Sequence, residues 1–208
     1  FVNLHNHTEY SILDGMISIP ELVSYAKQNG QSAIAMTDHG VMGGFWQLYK
    51  EATRQGIKPL IGCEFYLVES MDEEERKHET RYHFLALAKN NIGLKNLFKL
   101  STKGHLEGLY KGKPRVLMDW ILQHREGVIF TSACMSGPLG EMIADGKERL
   151  ALAQAKRFKE YFEDFYIEIQ PNKIPEQIKI NPVLVRIAER LNIPLIATAD
   201  AHYLKEQV

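Results

Sequence analysis

The stretch Phe1-Val2-Asn3-Leu4-His5-Asn6-His7 opens the chain and decides its fold. Its apolar residues predict a β-strand, in which side chains two apart point to the same face, so His5 and His7 face one way together. The far end of the chain repeats the pattern, because an apolar run from Pro194 leads into Ala199-Asp200-Ala201-His202. Imidazoles and carboxylates paired in this way at strand ends indicate metal-ligand chemistry.

Apolar runs alternate with helical patterns between these two ends. The predicted strands are 1–7, 32–37, 58–68, 84–88, 127–133, 165–169 and 194–199, and the predicted helices are 19–29, 43–55, 92–102, 147–162 and 176–191. Repeated strand–helix units favour an α/β fold with a parallel sheet covered by helices. We expect residues 1–208 to form one such domain, cut from a longer protein.

An open sheet and a closed barrel both agree with this alternation. Candidate ligands end the first, second, third, fifth and seventh predicted strands. The carboxyl ends of all strands converge on one mouth in a barrel, whereas an open sheet separates its first and last strands unless they are neighbours. The ligand pattern therefore favours a barrel.

Composition gives further limits. The formal net charge is −1, so there is no bulk electrostatic case for nucleic-acid binding, although a local basic strip or a metal cluster can still hold phosphates. The cysteines are Cys63 and Cys134, which predicts a reducing cytosol and no disulfide framework. The sequence shows no signal peptide and no apolar stretch of membrane-spanning length.

Three acidic residues and one histidine are further candidates for the site in the first third of the chain. Asp14 precedes a glycine, a pattern that is equally common in turns. His39 ends the second strand, and we expect Asp38 beside it to orient a ligand, with capping of the next helix as the alternative. Glu64 is an acid within an apolar strand, which is costly unless the group is paired or metal-bound.

Two candidates are ambiguous from the residues alone. Cys134 follows the strand 127–133, where a ligand and an ordinary buried cysteine are equally expected. His83 precedes its apolar run, which is the wrong end of a strand in a simple barrel, so its position predicts a structural role. We expect Cys63 to pack on the face opposite Glu64. The remaining histidines are assigned no role: His78, His105 and His124.

Two charged segments stand outside this pattern. Residues 69–81 are rich in both acids and bases and predict a solvated loop. Residues 106–115 are basic, with Lys111, Lys113 and Arg115 near Tyr110. This second segment is expected either to contact a phosphate backbone or another domain, or to be a plain surface loop.

The motifs, taken in order, resemble those of a known family. They are His-x-His, Asp-Gly, Thr-Asp-His-Gly, Gly-Cys-Glu, Tyr-His-Phe-Leu-Ala-Leu-Ala, Ser-Ala-Cys and Asp-Ala-His-Tyr. This set resembles the polymerase and histidinol phosphatase (PHP) superfamily. Residues 1–11, 58–64, 106–110 and 113–115 narrow the resemblance to the PHP domain at the N-terminus of bacterial DNA polymerase III alpha subunits. The resemblance covers essentially the whole chain.

This resemblance implies a distorted seven-stranded (β/α) barrel that holds a trinuclear metal site. It makes both His83 and Cys134 metal ligands. The residues alone predicted a structural role for His83 and left the role of Cys134 open. The implied metals are three divalent ions, zinc first, with manganese, iron or magnesium as alternatives. The implied ligands are His5, His7, Asp14, His39, Glu64, His83, Cys134, Asp200 and His202.

The resemblance also implies a metal-dependent phosphoesterase with 3′–5′ exonuclease activity, within a cytoplasmic bacterial DNA-directed DNA polymerase. The implied partners are a DNA 3′ end (single-stranded or a primer terminus), the remaining polymerase domains and other replisome subunits, with no membrane. One alternative is a metal-stabilised structural module that docks the polymerase body or a proofreading partner. A histidinol-phosphatase-type small-molecule enzyme is the other, and the alpha-subunit-like stretches argue against it.

Overall fold

The computed structural model describes residues 1–72 and 81–204. The strands in these residues are β1 (Ala33–Met36), β2 (Lys58–Val68), β3 (Tyr82–Ala88), β4 (Leu109–Tyr110), β5 (Lys113–Leu117), β6 (Val128–Thr131), β7 (Phe165–Ile169) and β8 (Leu195–Ala197). The helices are α1 (Ile19–Gln28), α2 (Phe45–Gln55), α3 (Asn91–Leu106), α4 (Met118–Gln123), α5 (Pro138–Ala144), α6 (Glu148–Tyr161) and α7 (Pro175–Leu191). The predicted α/β class is confirmed, and only the short α4 and α5 were not predicted among these helices.

The sheet closes into a barrel through its first residues. The wall runs β1-β2-β3-β6-β7-β8. The N-terminal segment, residues 3–8, lies between the two ends of this wall. On one side, the Thr37 amide donates to Asn6 O over 3.0 Å; on the other, the His7 amide donates to Ala201 O over 2.9 Å and the Ala201 amide donates to His5 O over 3.1 Å. The described residues therefore occupy seven barrel positions, as the barrel prediction requires.

The N-terminal segment itself is not a regular strand, so the strand predicted over 1–7 is wrong. It forms only isolated bridges, Asn6 with Ala201 and Thr8 with Ile17. Side chains replace part of the usual ladder, because the Asn6 amide donates to Thr37 Oγ1 over 3.0 Å and the Ala199 amide donates to Asn3 Oδ1 over 2.9 Å. Side chains thus satisfy main-chain groups at the seam of the barrel.

The sheet is mixed, which corrects the expectation of a parallel one. β3 runs antiparallel to both of its neighbours, β2 and β6. Because β2 and β3 pair in antiparallel register, the chain reverses its direction between them. The first residues of β3 therefore lie at the rim of the barrel where β2 and β6 end. His83 reaches this rim although it begins its strand.

The basic segment 106–115 folds as a hairpin beside the barrel, so the surface-loop alternative is wrong for its backbone. β4 and β5 pair in antiparallel register, and β5 continues the sheet along the last residues of β2. Lys111 and Gly112 have φ of 48° and 75°, the left-handed pair that a two-residue type I′ turn requires. The end of this turn places Lys113 beside His39 at the rim.

The main core fills the space between the sheet and α5, α6 and α7. Phe130 lies 4.3 Å from Phe162 and 5.6 Å from Phe84 between ring centroids. Cys63 is fully buried in this core, as predicted. Residues 73–80 of the predicted solvated loop, including His78, lie outside the described residues. Within the described ranges, no helix combines the length and apolar character needed to cross a bilayer.

Candidate metal centre

All nine predicted ligands lie together at one rim of the barrel. The N-terminal segment provides two, the loop before α1 one, the end of β1 one, β2 and β3 one each, the loop after β6 one, and the chain after β8 two. Each ligand has a polar or ring contact to at least one other member. Barrel closure therefore brings together residues that are almost 200 positions apart in the chain.

Glu64 lies at the centre of the cluster and is almost fully buried. Its Oε1 is 3.1 Å from His5 Nε2 and 3.1 Å from His83 Nδ1. Its Oε2 is 2.7 Å from His39 Nδ1 and 3.5 Å from His7 Nε2. The two oxygens of one carboxylate thus serve different pairs of imidazoles.

Asp200 and His202 complete the cluster from the other end of the chain. Asp200 Oδ1 is 3.1 Å from His7 Nε2 and 3.4 Å from His5 Nε2. The backbone of Asp200 is left-handed, with φ of 50°, which turns its side chain inward. The His202 ring stacks on His7 with centroids 4.3 Å apart, and its Nδ1 is 3.0 Å from Asp200 O.

Asp14 and Cys134 lie at opposite margins. Asp14 Oδ2 is 3.3 Å from His39 Nε2, and the Asp14 side chain is 44% exposed, the largest value in the set. Cys134 Sγ is 3.6 Å from His83 Nδ1 and 4.0 Å from Glu64 Oε1. The cluster is therefore open to solvent on the Asp14 side and closed on the Cys134 side.

Glu168 supports the cluster from below and was missed by the sequence reasoning. Its Oε1 accepts a hydrogen bond from His5 Nδ1 over 2.7 Å, with both side chains fully buried. Thr198 and Thr131 donate to the same carboxylate over 2.5 and 2.6 Å. The sequence did contain a signal for Glu168. Burying an acid within the apolar strand Phe165–Ile169 costs free energy unless the acid is paired, and this is the argument that identified Glu64.

Asp38 acts on the ligands through a neighbouring loop. It accepts hydrogen bonds from Thr8 N (2.6 Å), Thr8 Oγ1 (2.8 Å) and Ser11 Oγ (2.7 Å). Because the Ser11 hydroxyl donates its hydrogen to Asp38, the Ser11 oxygen accepts a hydrogen bond from His7 Nδ1 over 3.2 Å. Asp38 does not cap the next helix, whose N-cap is Gly44.

These partners fix the tautomers of two histidines. Glu168 holds the hydrogen on Nδ1 of His5, and Ser11 holds it on Nδ1 of His7, so both rings turn Nε2 toward the cluster as the nitrogen that could bind a metal. A partner of this kind on the far ring nitrogen is typical of metal-ligating histidine.

The charges of the cluster are strongly coupled. Burial raises the pKa of Glu64, but the imidazoles of His83 and His5 outweigh it and hold that pKa well below its usual range. Burial also opposes ionisation of Asp200, yet His5 and His7 lower its pKa to about 2. Burial lowers the pKa of His7; burial also opposes the charged form of His5, but Asp200 and Glu168 outweigh it and raise the pKa of His5. The carboxylates are thus held ionised beside imidazoles.

The donor atoms fit divalent cations. Three groups each place their ligand atoms within 4.8 Å of one another: His7, His39 and His202; His5, His7 and Asp200; His39, Glu64 and His83. Six buried atoms of the cluster have no hydrogen bond among the described residues: His5 Nε2, His7 Nε2, Asp14 Oδ1, His39 Nδ1, Glu64 Oε2 and Asp200 Oδ1. Buried polar atoms are normally satisfied, so atoms that face one another without hydrogen-bond geometry suit a shared metal.

Sequence comparison gives a consistent result. The PHP domain family matches residues 3–172. The DNA polymerase III alpha subunits of Treponema pallidum and Aquifex aeolicus are 40% and 41% identical over 100% of this chain. The chain spans 18% of the length of each of these relatives.

Two solved structures share the fold. One is a candidate metal-dependent phosphoesterase from Bifidobacterium adolescentis, with a TM-score of 0.62, 16% identity, and coverage of 100% of this chain and 90% of that one. The other is an amidohydrolase from Chromobacterium violaceum, solved with sulfate and no metal, with a TM-score of 0.59, 17% identity, and coverage of 100% and 89%. Similarity at this level of identity concerns the barrel alone.

Proposed function

The chain belongs to the PHP domain family, and on this basis we propose that it is the metal-dependent phosphoesterase domain of a bacterial replicative DNA polymerase. Its reaction is hydrolysis of the terminal phosphodiester at a DNA 3′ end, in the 3′–5′ direction. The convergence of three ligand groups with unsatisfied buried donor atoms at one rim carries this proposal.

The metal ligands in this proposal are the nine residues predicted from the sequence. The nine residues would hold three divalent ions between them; the three groups overlap at His7 and His39, and each imidazole nitrogen would bind one ion. Imidazoles together with the Cys134 thiol favour zinc over the harder magnesium ion. Glu64 would contribute to holding the ions, because both of its oxygens face imidazoles of the cluster.

The chemistry divides between the ions and the chain. Bound divalent ions supply Lewis acidity, which polarises a phosphoester and lowers the pKa of water toward about 7. The chain fixes the ligand atoms: Glu168 and Ser11 hold His5 and His7 in one tautomer, and buried Glu64 remains ionised. The exposed margin at Asp14 leaves an open side by which a substrate can approach.

The proposed setting follows from the relatives. The long polymerase relatives favour a chain that acts beside further polymerase domains and other replisome subunits in the bacterial cytoplasm, on a single-stranded 3′ end or a primer terminus. The phosphodiester of DNA is then the substrate, and the polymerase active site itself is expected outside these residues.

The first experiment is metal content per chain, by elemental mass spectrometry on protein purified without chelator or affinity metal. We expect about three transition-metal ions per chain and hydrolysis of 3′-labelled DNA. His5→Ala should lower that hydrolysis more than 100-fold, because loss of a ligand exceeds the 10–100-fold effect of losing a partner behind one. His124→Ala, a histidine bonded to Trp120 O at the end of α4, is the control.

Asp14→Asn tests the same site without opening the core, since Asp14 is its most exposed ligand. A folded protein with one metal or none contradicts the catalytic proposal. Three metals without DNA hydrolysis favour the structural module, and hydrolysis of a sugar or amino-alcohol phosphate but not of DNA favours the small-molecule phosphatase.

A further inference from the structure

A cavity of about 220 Å³ adjoins the open margin of the cluster. The loop before α1 forms one wall with Tyr10 and Asp14, and the turn of the β4–β5 hairpin forms another with Lys113. His39 and Tyr66 lie between the two walls. The cavity therefore shares two of its lining residues, Asp14 and His39, with the cluster.

Lys113 places a positive charge in this cavity. Its Nζ donates to Tyr66 Oη over 3.1 Å and lies 5.1 Å from the centre of the Tyr66 ring. That ring stacks on His39 with centroids 5.9 Å apart and meets His83 edge-on at 5.5 Å. The Tyr66 side chain thus contacts both the Lys113 ammonium group and two cluster ligands, His39 and His83.

Tyr66 can serve the same ligand as Lys113. Because Lys113 donates to the tyrosine oxygen, the hydroxyl hydrogen of Tyr66 can be donated to an anionic oxygen. Lys113 and Tyr66 together offer one cation and one hydroxyl donor, which suits a phosphate.

The rim of the cavity is apolar. Ile12 and Leu13 are 89% and 80% exposed on the loop that carries Asp14. Pockets that enclose a whole drug-sized ligand have roughly 300–1,000 Å³. The smaller volume here fits a sugar-phosphate unit, which leaves an attached base at the rim beside Ile12 and Leu13.

We propose that this cavity binds the phosphate next to the scissile one in a DNA strand, with Lys113 and Tyr66 as its contacts and Ile12 and Leu13 packing against the base. The proposal rests on the proposed function, since only a nucleic-acid substrate presents a second phosphate at a fixed distance from the first. It gives the basic segment 106–115 a defined role in selecting polynucleotides over small phosphoesters.

Lys113→Gln tests this assignment, and Lys111→Gln is the matched control. Lys111 lies on the same hairpin, but its Nζ is over the Tyr110 ring at 5.3 Å and it does not line the cavity. We expect Lys113→Gln to lower kcat/KM on a 3′-labelled oligothymidylate by roughly tenfold or more. The loss on bis(p-nitrophenyl) phosphate, which has a single phosphate, should be at least fivefold smaller. Equal losses on the two substrates overturn the proposal.

A binding measurement separates this inference from the proposed function. If the metal-loaded wild type hydrolyses neither substrate, the proposed function fails, and the cavity is tested by anisotropy of a labelled oligothymidylate. Lys113→Gln should then reduce the slope of log affinity against log salt by about 0.7, the value for one phosphate contact on a single strand. An equal change in Lys111→Gln, or no binding by the wild type, overturns the inference.

Discussion

Glu168 has the clearest chemical role of the residues around the cluster, although it is not one of the nine predicted ligands. Its carboxylate receives hydrogen bonds from His5 and from two threonines, all within the core. A charge buried this completely is retained only where its partners are fixed. We therefore regard Glu168 as the group that sets the orientation of His5.

Glu168→Gln should weaken metal binding while the fold survives. The amide keeps the size of the side chain but removes the charge that holds the Nδ1 hydrogen of His5, so metal affinity should fall 10–100-fold. Competitive titration with a chromogenic chelator measures this change. The control is Glu189→Gln, the same change on the exposed face of α7. Unchanged affinity with a normal melting curve would refute the role assigned to Glu168.

Residue type and position predicted most of the cluster members, whereas His83 and Cys134 were assigned to it only by the family resemblance. His5, His7, Asp200 and His202 followed from two side chains on one strand face, and Glu64 followed from the cost of a buried acid. His83 could not be placed from the residues alone, because the periodicity of a strand does not reveal its direction. Glu168 could have been found, since the reasoning used for Glu64 applies to it unchanged.

At the scale of elements, the hairpin and the turn after β1 depend on each other. Gly40 follows His39 with φ of 65°, and its amide donates to Glu64 O over 2.8 Å. A Cβ at Gly40 would overlap the ring of Pro114 in β5. Glycine is required here both by the backbone conformation and by the close approach of the hairpin.

Gly40→Ala should therefore destabilise the protein more than a left-handed glycine elsewhere. Gly30 has the same φ of 65°, and no described atom lies within 4 Å of the position that a Cβ would take there, so Gly30→Ala measures the conformational cost alone, about 1 kcal/mol. Gly40→Ala adds overpacking of about 1–3 kcal/mol against Pro114. Urea unfolding of both variants gives the difference in unfolding free energy. Equal losses would mean that the hairpin moves aside without cost.

Element boundaries were predicted well where the apolar pattern was long. β2 and β7 were predicted with the observed limits, and α1, α6 and α7 within two residues of them. The hairpin was missed because β4 has only two residues, too few to show a period. The direction of β3 was missed because repeated strand–helix units suggested a crossover that the described chain does not make.

At the scale of the whole molecule, we expect metal bound at the cluster to stabilise the closed barrel as well as to support the reaction. Its ligands come from the N-terminal segment, β1, β2, β3 and the chain beyond β8, so bound ions connect most of the barrel wall. Without ions, the buried Glu64 and the half-buried Asp200 remain as two acids on either side of His5 Nε2. Ligands that bind only the folded state stabilise it by mass action.

Chelation should lower the melting temperature reversibly. A metal at 100 times its dissociation constant adds about 2.7 kcal/mol, which corresponds to roughly 5–10 °C for a domain of this size. Differential scanning fluorimetry before and after EDTA treatment, then after addition of zinc, measures the shift. His5→Ala should show a smaller shift and His124→Ala the full one. An unchanged melting temperature, once elemental analysis has verified removal of the ions, would contradict the expectation.

The seam between the N-terminal segment and Ala201 has a consequence for synthesis on the ribosome. His5 and His7 are made first, but the atoms that hold them in place, at Glu168, Asp200 and Ala201, emerge last. At about 5–20 residues per second, translation leaves those two histidines waiting roughly 10–40 s for their partners. Closure of this seam therefore comes late in the synthesis of residues 1–204, and a nascent chain that is stalled before residue 200 has most of the barrel wall but lacks Asp200 and His202 of the proposed ion site.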